Sequence, residues 1–331
     1  MQRIADEMKK KALGLLEDGS VGAVIAWEKG ELPYSSQPAF FQISDALGGM
    51  IYDSFCGGNL SKYLIEKSKE DKKVLVFLKP CDTYSLNQLL AENQVVKGKI
   101  HAVGIGCSGH VDIEKIRAKG FLGILDIDED GENLNIKTLY GDKSCPRSEV
   151  LLDKCLSCKG KEHRVFDELI GADLSQETSE ESVEHEKFAQ IENIESKTSD
   201  ERFAFWRAAL PKCIRCNACR NICPSCTCQK CIFDNAESGV GAKVNVTDFE
   251  ENLFHIIRAF HVAGRCSDCG ECGRVCPQNI PLHLLNRKHV KDINSFFGKF
   301  QAGETDSQTS PLLNYEFDDA EPNVVSKREG K

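Results

Sequence analysis

One cysteine spacing occurs twice in this 331-residue chain, and no other feature constrains its fold as strongly. In each copy, two, two and three residues separate four successive cysteines, and a proline follows the last one. The copies are Cys213, Cys216, Cys219, Cys223 and Pro224, then Cys266, Cys269, Cys272, Cys276 and Pro277. The spacing C-x2-C-x2-C-x3-C-P is typical of segments that bind a pair of [4Fe-4S] clusters. We therefore predict two clusters in the carboxyl-terminal half.

The fourth cysteine of each run is expected to bind the cluster of the other run, as in two-cluster ferredoxins. One cluster would be held by Cys213, Cys216, Cys219 and Cys276, and the second by Cys266, Cys269, Cys272 and Cys223. This crossed ligation ties both copies into one domain and brings the clusters close enough to exchange electrons. The chain is therefore expected to carry electrons.

Two other uses of cysteine explain the pattern less well. Disulfides need an oxidising compartment, and the first residues are charged, without the apolar stretch of a secretory signal. Structural zinc would account for two C-x2-C pairs, but it does not explain the additional C-x2-C interval or the proline after the fourth cysteine. We expect a cytoplasmic protein with reduced thiols and no membrane-spanning segment.

The overall composition places few further limits on function. A hydrophobic fraction of 41% with 28% charged residues is ordinary for a globular protein. The net charge of −9 and the lack of basic runs argue against nucleic acid as a partner. With 331 residues, the chain has room for two domains.

The amino-terminal half alternates apolar strand patterns with amphipathic helix patterns. Strands are predicted at residues 21–27, 74–78 and 100–106, and helices at 59–70, 83–92 and 112–119. This alternation predicts an α/β domain with a mainly parallel sheet. Ligands of such sheets collect at the carboxyl ends of the strands, where Cys81 and Cys107 are expected to lie.

The predicted domain boundaries follow changes in composition. Residues 1–174 form the α/β domain, and residues 175–201 are an acidic, serine-containing linker that is mobile or weakly helical. Residues 202–300 are expected to form a mainly α-helical two-cluster domain. Residues 301–331 are polar and are predicted to be a disordered tail.

The remaining cysteines leave several alternatives open. Cys155 and Cys158 form another C-x2-C pair, which needs two further ligands to hold a cluster. Cys81 and Cys107 are favoured because both follow strands, and Cys81 also begins a helix that stabilises a thiolate. Cys56 and Cys145 are alternatives, and free cysteine is often only a small buried hydrophobe.

A second group of three cysteines is too small to form a standard four-ligand site. Cys226, Cys228 and Cys231 lie immediately after the first ferredoxin-type run. They are candidates for a further metal site, for a reducible thiol site, or for simple packing.

Four segments of the amino-terminal half resemble the β-subunit family of coenzyme F420-dependent hydrogenase and formate dehydrogenase. They are GGNLSKYLIE (57–66), FLKPCDTYSLNQLL (77–90), GIGCSGHVDIEKI (104–116) and KCLSC with VFDELIG (154–171). The resemblance implies a mixed α/β domain that binds FAD and a [4Fe-4S] cluster. It places the third cluster at Cys81, Cys107, Cys155 and Cys158. It also implies a flavin loop at Gly57, Gly58 and Asn59, with Lys79 and Pro80 near the flavin.

The carboxyl-terminal cysteine runs resemble the α-helical ferredoxins of heterodisulfide reductases and of fumarate or succinate oxidoreductases. Members of the β-subunit family that act on F420 often carry a cysteine cluster near the amino terminus, whereas this chain has its two-cluster module at the carboxyl terminus. The combination resembles the iron–sulfur flavoprotein subunits of heterodisulfide-reductase-like, hydrogenase or formate dehydrogenase complexes in anaerobes.

That resemblance implies an oxidoreductase subunit that exchanges electron pairs with F420 or NAD(P)H and single electrons with other redox subunits. The alternative is a pure relay and docking subunit without flavin or its own substrate. No side chain is predicted to act as a catalytic acid or base, although His101, His110 and His163 are candidates by position.

Overall fold

The computed structural model describes residues 1–156, 158, 162–171, 180–235, 248–305 and 309–313. Its amino-terminal part is built on a mixed sheet with the strand order β2-β1-β4-β5-β9, and β3 pairs with β1. The strands are β1 (Ala23–Lys29), β2 (Ser36–Phe41), β3 (Met50–Ile51), β4 (Val74–Leu78), β5 (Ile100–Ile105) and β9 (Glu168–Ile170). Strands β1, β4, β5 and β9 are mutually parallel, and β2 and β3 are antiparallel additions at β1.

The predicted parallel core is therefore present. Leu75 of β4 lies opposite Val24 of β1 on one side and opposite His101 of β5 on the other. All five residues of β4 are buried, as expected for a central strand covered on both faces. The fold-class prediction for this half is confirmed.

Helices connect and cover these strands. They are α1 (Gln2–Glu17), α2 (Leu64–Lys67), α3 (Pro80–Ala91), α4 (Ile113–Ala118) and α5 (Asp153–Leu156). Helix α3 begins directly after β4 with Pro80 in its first turn, where a missing N–H costs nothing. Asn59 and Asp112 cap the helical segments after them, each accepting a backbone N–H two residues on.

A small antiparallel sheet, which the sequence analysis did not predict, follows α4. It consists of β6 (Ile124–Glu129), β7 (Asn133–Thr138) and β8 (Lys143–Pro146). Leu134, Ile136 and Cys145 face a separate core under this sheet. The alternating burial of β7 shows the period of two that marks a half-exposed strand.

The carboxyl-terminal part is helical, as predicted. Its elements are α6 (Glu180–Glu195), α7 (Ser199–Ala209), α8 (Ala218–Asn221), α9 (Asp248–His261), α10 (Glu271–Arg274) and α11 (Leu282–Phe297). Pro281 occupies the N-cap of α11. The described part of segment 175–201 is largely helical, and its Lys187 carbonyl accepts a hydrogen bond from Arg287 of α11.

The two parts are bonded to each other along α3. The hydroxyl groups of Ser85 and Ser267 are 2.6 Å apart, and Glu92 pairs with Arg265. Asn87 donates to the Gly303 carbonyl at 3.1 Å, so the first residues after position 300 are packed against the sheet domain. This contact fixes the orientation of the helical part at the carboxyl-terminal edge of the parallel sheet.

Candidate metal centres and cofactor cavity

The two cysteine runs adopt the same backbone conformation. Arg215 and Asp268 occupy matching positions, with φ of 53° and 52°, and Asn217 and Gly270 follow with φ of 60° and 69°. Each run then enters a helix of one turn, α8 or α10. Left-handed residues reverse the chain direction within a few residues. The repeated spacing thus produces two equivalent loops that wrap inward.

Each loop closes a small cavity lined by four cysteines. The first cavity has Cys213, Cys216, Cys219 and Cys276 in its wall, and the second has Cys223, Cys266, Cys269 and Cys272. These are the two sets that crossed ligation predicts. The donor chemistry fits iron–sulfur clusters, because four thiols converge where apolar side chains such as Phe254 and Ile280 exclude water from the first cavity.

Backbone and side-chain N–H groups are directed at the sulfurs. Arg215 N donates to Cys213 Sγ, and Asp268 N to Cys266 Sγ, both at 3.4 Å. In the second cavity the side chain of Asn286 also donates to Cys272 Sγ at 3.5 Å. Hydrogen bonds to sulfur stabilise the more negative, reduced state of a cluster and so raise its reduction potential.

Burial dominates the protonation of these thiols. It raises the pKa of Cys266 to about 12, with Asp268 and Cys223 adding to the shift, and it raises the pKa of Cys213 to about 11. The free thiols are therefore protonated, and metal binding must release their protons. Arg258 supplies positive charge nearby, because its guanidinium donates to the Cys219 carbonyl at 2.7 Å and favours the thiolate of Cys272.

The four cysteines predicted to hold the third cluster also lie together. Burial raises the pKa of Cys155 to about 11, with Cys107 and Cys158 adding to the shift, and Cys158 likewise contributes to the raised pKa of buried Cys81. Gly109 N donates to Cys107 Sγ at 3.4 Å, and His110 N donates to Cys155 Sγ at 3.3 Å. The chain thus offers this set the same kind of N–H···S support.

The alternative cysteines lie elsewhere. Cys145 is buried under the small sheet among Leu134 and its neighbours. The Cys56 thiol contacts the Ile51 carbonyl and Asp53 in the main core. The structure therefore brings Cys81 and Cys107, rather than these two, to Cys155.

A buried ion-pair network joins the third cysteine set to the second cavity. Glu271, only 1% exposed, pairs with Lys154 and with Arg274 Nε, the latter at 2.6 Å. Its second oxygen also accepts the Gly58 N–H at 3.0 Å. Although burial opposes ionisation, Arg274 and Lys154 hold the pKa of Glu271 well below its usual range. The ion pair between Lys154 and Glu271 therefore holds the sheet domain and the helical domain together.

A cavity of about 820 Å³ lies at this junction. From the sheet domain it is lined by residues that include Tyr34, Gly57 and Lys154, and from the helical domain by Gly270 and Cys276. Its wall also contains the cationic side chains of Arg117 and Arg274. The volume is within the range of cofactor sites, and the basic groups suit an anionic ligand.

Gly57 is the predicted flavin residue that lines this cavity. Gly58 directs its N–H to Glu271, and Asn59 donates to Ser85 Oγ at 2.8 Å. Lys79 is fully buried, donating to the Gly58 carbonyl at 2.9 Å and pairing with Asp82. Pro80 is buried in the first turn of α3. These four residues support the cavity wall from behind, and their contact with a flavin stays a prediction.

The candidate histidines make ordinary hydrogen bonds. His101 Nε2 lies 3.1 Å from Glu168, His110 Nδ1 lies 3.1 Å from the Ser54 carbonyl, and His163 Nε2 lies 3.0 Å from the Ile105 carbonyl. Burial lowers the pKa of His110 and His163. Of the three, His110 lines the large cavity.

Sequence reasoning missed three charged residues of this region: Lys154, Arg258 and Glu271. Lys154 precedes Cys155, and Glu271 lies between Cys269 and Cys272. A charged residue inside a cysteine motif is a signal that could have drawn attention to both. Arg258 lies on α9, outside either motif, and only its burial at 4% exposure identifies it.

A profile described as a 4Fe-4S dicluster domain matches residues 209–280. Over 73 residues the chain is 34% identical to "Putative ferredoxin-3" of Sinorhizobium fredii, covering 70% of that protein and 22% of this chain. Residues 209–280 form a 4Fe-4S dicluster domain. The prediction of iron–sulfur clusters in the carboxyl-terminal half is confirmed, and both four-cysteine cavities lie in the dicluster domain.

Two formate dehydrogenase subunits are similar to most of the chain. It is 24% identical to "F420-dependent formate dehydrogenase subunit beta" of Methanocaldococcus jannaschii, over 91% of this chain and 92% of that protein. It is 23% identical to "F420-dependent formate dehydrogenase 1 subunit beta" of Methanococcus maripaludis, over 66% and 70% respectively. The predicted class, an iron–sulfur electron-transfer subunit of an oxidoreductase, is confirmed by these similarities.

One solved structure shows a looser likeness. A chain of the F420-reducing [NiFe] hydrogenase complex from Methanosarcina barkeri matches 50% of this chain and 60% of its own, with 14% identity and a TM-score of 0.37. A superposition this loose assigns no role to individual residues. Within the described residues, no helix combines the length and apolar character that crossing a bilayer requires.

Proposed function

We propose that this chain is the flavin-containing electron-transfer subunit of a formate dehydrogenase-type complex, exchanging electron pairs with F420. One observation carries the proposal: the large junction cavity is reached by segments of all three predicted cluster sites. Cys276 of the first set lines it, Gly270 adjoins Cys269 of the second, and Lys154 adjoins Cys155 of the third. A cofactor in this cavity would have short paths to every cluster.

The proposed ligands are those of the crossed arrangement together with the third set. The first cluster takes Cys213, Cys216, Cys219 and Cys276, the second Cys223, Cys266, Cys269 and Cys272, and the third Cys81, Cys107, Cys155 and Cys158. The thiols lose their protons on binding iron, and nearby N–H groups and Arg258 offset the negative charge that results.

FAD is proposed as the occupant of the junction cavity, where it supplies the conversion between electron pairs and single electrons. The protein contributes the surroundings. Arg117, whose partner Glu114 is exposed, is placed to bind an anionic group, whereas Lys154 stays paired with Glu271 at the cavity wall. The side chains of Arg274, Lys154 and His283 fill the space beside Gly57, Gly270 and Gly273, so these glycines let the wall of the cavity pack closely. Tyr34 offers an aromatic face on the same wall.

The first experiment measures iron, sulfide and FAD in protein isolated without oxygen. We expect at least about twelve iron atoms, about four for each of the three proposed clusters, together with one FAD per chain. Addition of reduced F420 should bleach the flavin and cluster absorption. Bleaching by NADH alone would replace F420 with a nicotinamide as the two-electron carrier.

The location of the flavin is tested by filling the cavity. Ile113 lines it on the sheet-domain side, so Ile113→Trp should reduce FAD content several-fold while leaving iron content unchanged. Leu125→Trp, at an exposed position of β6, is the matched control and should retain FAD. Full FAD occupancy in Ile113→Trp would place the flavin outside this cavity.

One observation favours the relay function without flavin. The Gly58 N–H, which the predicted flavin loop would offer to a phosphate, is already bonded to Glu271. If anaerobically isolated protein contains all of its clusters but no FAD, and added FAD does not bind, the relay function replaces the flavoprotein function.

A further inference from the structure

Three thiols outside all the proposed cluster sites share one cavity. Cys226, Cys228 and Cys231 line a cleft of about 640 Å³ whose wall also includes Lys62 and Arg258. Cys228 is exposed, and the other two are partly buried. Three thiols in six residues around one opening form a potential ligand set for a soft metal centre.

The charge around this cleft favours a negatively charged occupant. Arg258 lines it and is 4% exposed, and its Nε has no hydrogen-bond partner among the described residues. Lys62 also lines it, and its ammonium group donates to the Cys226 carbonyl at 2.5 Å. Neither cation forms a salt bridge with a carboxylate in the described part of the chain. Arg258 also faces Cys219, Cys223 and Cys272 of the two ferredoxin-type sets, so its charge is shared between those sites and the cleft. Together Arg258 and Lys62 make the wall of the cleft favourable to bound thiolates.

The spacing of the sulfurs distinguishes a cluster from a single ion. Zinc–sulfur bonds of about 2.3 Å place tetrahedral thiolates roughly 3.8 Å apart. Among the described residues, the sulfurs of Cys226, Cys228 and Cys231 do not all lie within 4.8 Å of one another. The same holds for the three-cysteine groups within the ferredoxin-type cavities. Wider spacing suits a cubane, whose thiolates bind different iron atoms.

We propose that Cys226, Cys228 and Cys231 bind an additional [4Fe-4S] cluster through three thiolates, leaving its fourth iron facing the open cleft. The centre takes up one electron as its core passes from the 2+ to the 1+ state, and it returns that electron to a neighbour. The inference goes beyond the proposed function, because none of its ligands belongs to the other three clusters.

The cleft lies directly beside the second cluster cavity. Ser225 lines both the cleft and the second cavity, and Cys226 N donates to the Cys223 carbonyl at 3.2 Å. An electron on the second cluster therefore has only a few atoms to cross. Since Cys228 is exposed, the additional cluster would be open to an incoming partner, as the first cluster is at Cys216, and would serve as a second contact for electron exit.

The test compares metal content in the full-length protein isolated without oxygen. The triple variant C226S/C228S/C231S should contain about four iron atoms and four sulfides fewer than the parent, at about four per cluster. Cys145→Ala, a buried cysteine under the small sheet, is the control and should keep the parental iron content. Equal iron in the triple variant and the parent would overturn the proposal, as would the loss of one zinc instead of iron.

A second measurement uses the parent protein and does not depend on folding of the variant. Iodoacetamide is added anaerobically to the metal-loaded protein, and labelled cysteines are identified by mass spectrometry. Cys226, Cys228 and Cys231 should be protected in the loaded protein and become labelled after iron is removed. Labelling of all three in protein that retains its full iron content would show free thiols and overturn the proposal.

These outcomes are separable from those of the proposed function. Absence of FAD, or lack of reduction by F420, would refute the flavoprotein assignment while leaving the difference of about four iron atoms unchanged. Conversely, an unchanged iron content in the triple variant would remove the additional cluster and leave the other three in place.

Discussion

The first and second cluster cavities share a backbone but differ in their surroundings. Matching left-handed residues and N–H···S bonds shape both loops. The first cavity includes the exposed Cys216, whereas none of the second set's cysteines is exposed and α11 adds the extra donor Asn286 to its wall. The duplicated motif therefore determines how iron is held, and the residues packed around each copy differentiate the two centres.

The polar side chains next to the two cavities can be compared in the same way. Beside the first cavity lies His255, which is 2% exposed and has no hydrogen-bond partner for either ring nitrogen among the described residues. Beside the second, the ion pairs of Glu271 and Asp268 are fully formed. The first loop is also ion-paired, through Arg215 and Glu251, and Nε2 of His283 beside the second cavity also has no partner among the described residues. The difference is therefore one of degree, with both ring nitrogens of His255 unused at the first cavity.

Loss of a ligand should have the largest effect and tests the crossing directly. Cys219→Ser and Cys276→Ser should remove the same cluster, and Cys223→Ser and Cys272→Ser should remove the other. Electron paramagnetic resonance of the dithionite-reduced protein distinguishes the two pairs of variants, because each pair should lose the signals of one cluster and keep those of the other. If Cys276→Ser and Cys272→Ser abolish the same signals, each run binds its own cluster and the crossed arrangement is wrong.

Glu271→Gln should have the next largest effect, because it leaves Lys154 buried without its counter-charge. We expect the free energy of unfolding to fall by about 3–5 kcal/mol, the usual cost of breaking a buried pair. Anaerobic denaturant titration measures this change. Glu149→Gln removes the exposed partner of Lys119 and should change the free energy by no more than about 0.5 kcal/mol. Equal effects of the two variants would show that the junction network does not brace the domains.

His255→Phe is expected to lower the reduction potential of the first cluster. A ring nitrogen of His255 lies within 4.8 Å of Cys213 Sγ, so its N–H can donate to the sulfur of a bound cluster. One hydrogen bond of about 0.5–1.5 kcal/mol corresponds to roughly 20–60 mV for one electron. Potentiometric titration should show this decrease for the first cluster alone. A shift confined to the second cluster would contradict the placement.

Asn286→Leu is the counterpart in the second cavity and should have the smallest effect. The variant removes one N–H···S bond of 3.5 Å and leaves the backbone N–H of Asp268 on Cys266 in place, so the decrease should be at the lower end of that range, about 20 mV. Asn193→Leu, on the exposed surface of α6, should leave both potentials unchanged. A decrease for the first cluster instead would reverse the assignment of the two cavities.

The central strands could be predicted because a short apolar run in the sequence is enough to indicate a buried strand. The run from Val74 to Leu78 is apolar throughout, and a strand covered on both faces needs nothing else. The small sheet escaped notice because β6 carries polar and acidic residues at several positions. The acidic composition of 180–195 likewise concealed α6, whose Glu195 is neutralised by Lys288 and Lys291 of a helix distant in sequence.

The cysteine cavities were predictable for a similar reason, since ligand spacing reflects the geometry of the bound group. The junction was not. The pairing of Lys154 with Glu271 joins residues more than a hundred positions apart, and neither residue type carries information about its partner. Likewise, the Gly-Gly pair at Gly57 indicated a close backbone approach but not that the approaching group at Gly58 would be a carboxylate.

The location of Glu271 couples one metal site mechanically to the cavity wall. This residue lies between two cysteines of the second run, and its carboxylate contacts Gly58 and Lys154 across the junction. Any displacement of that cysteine loop would therefore also move the wall of the junction cavity.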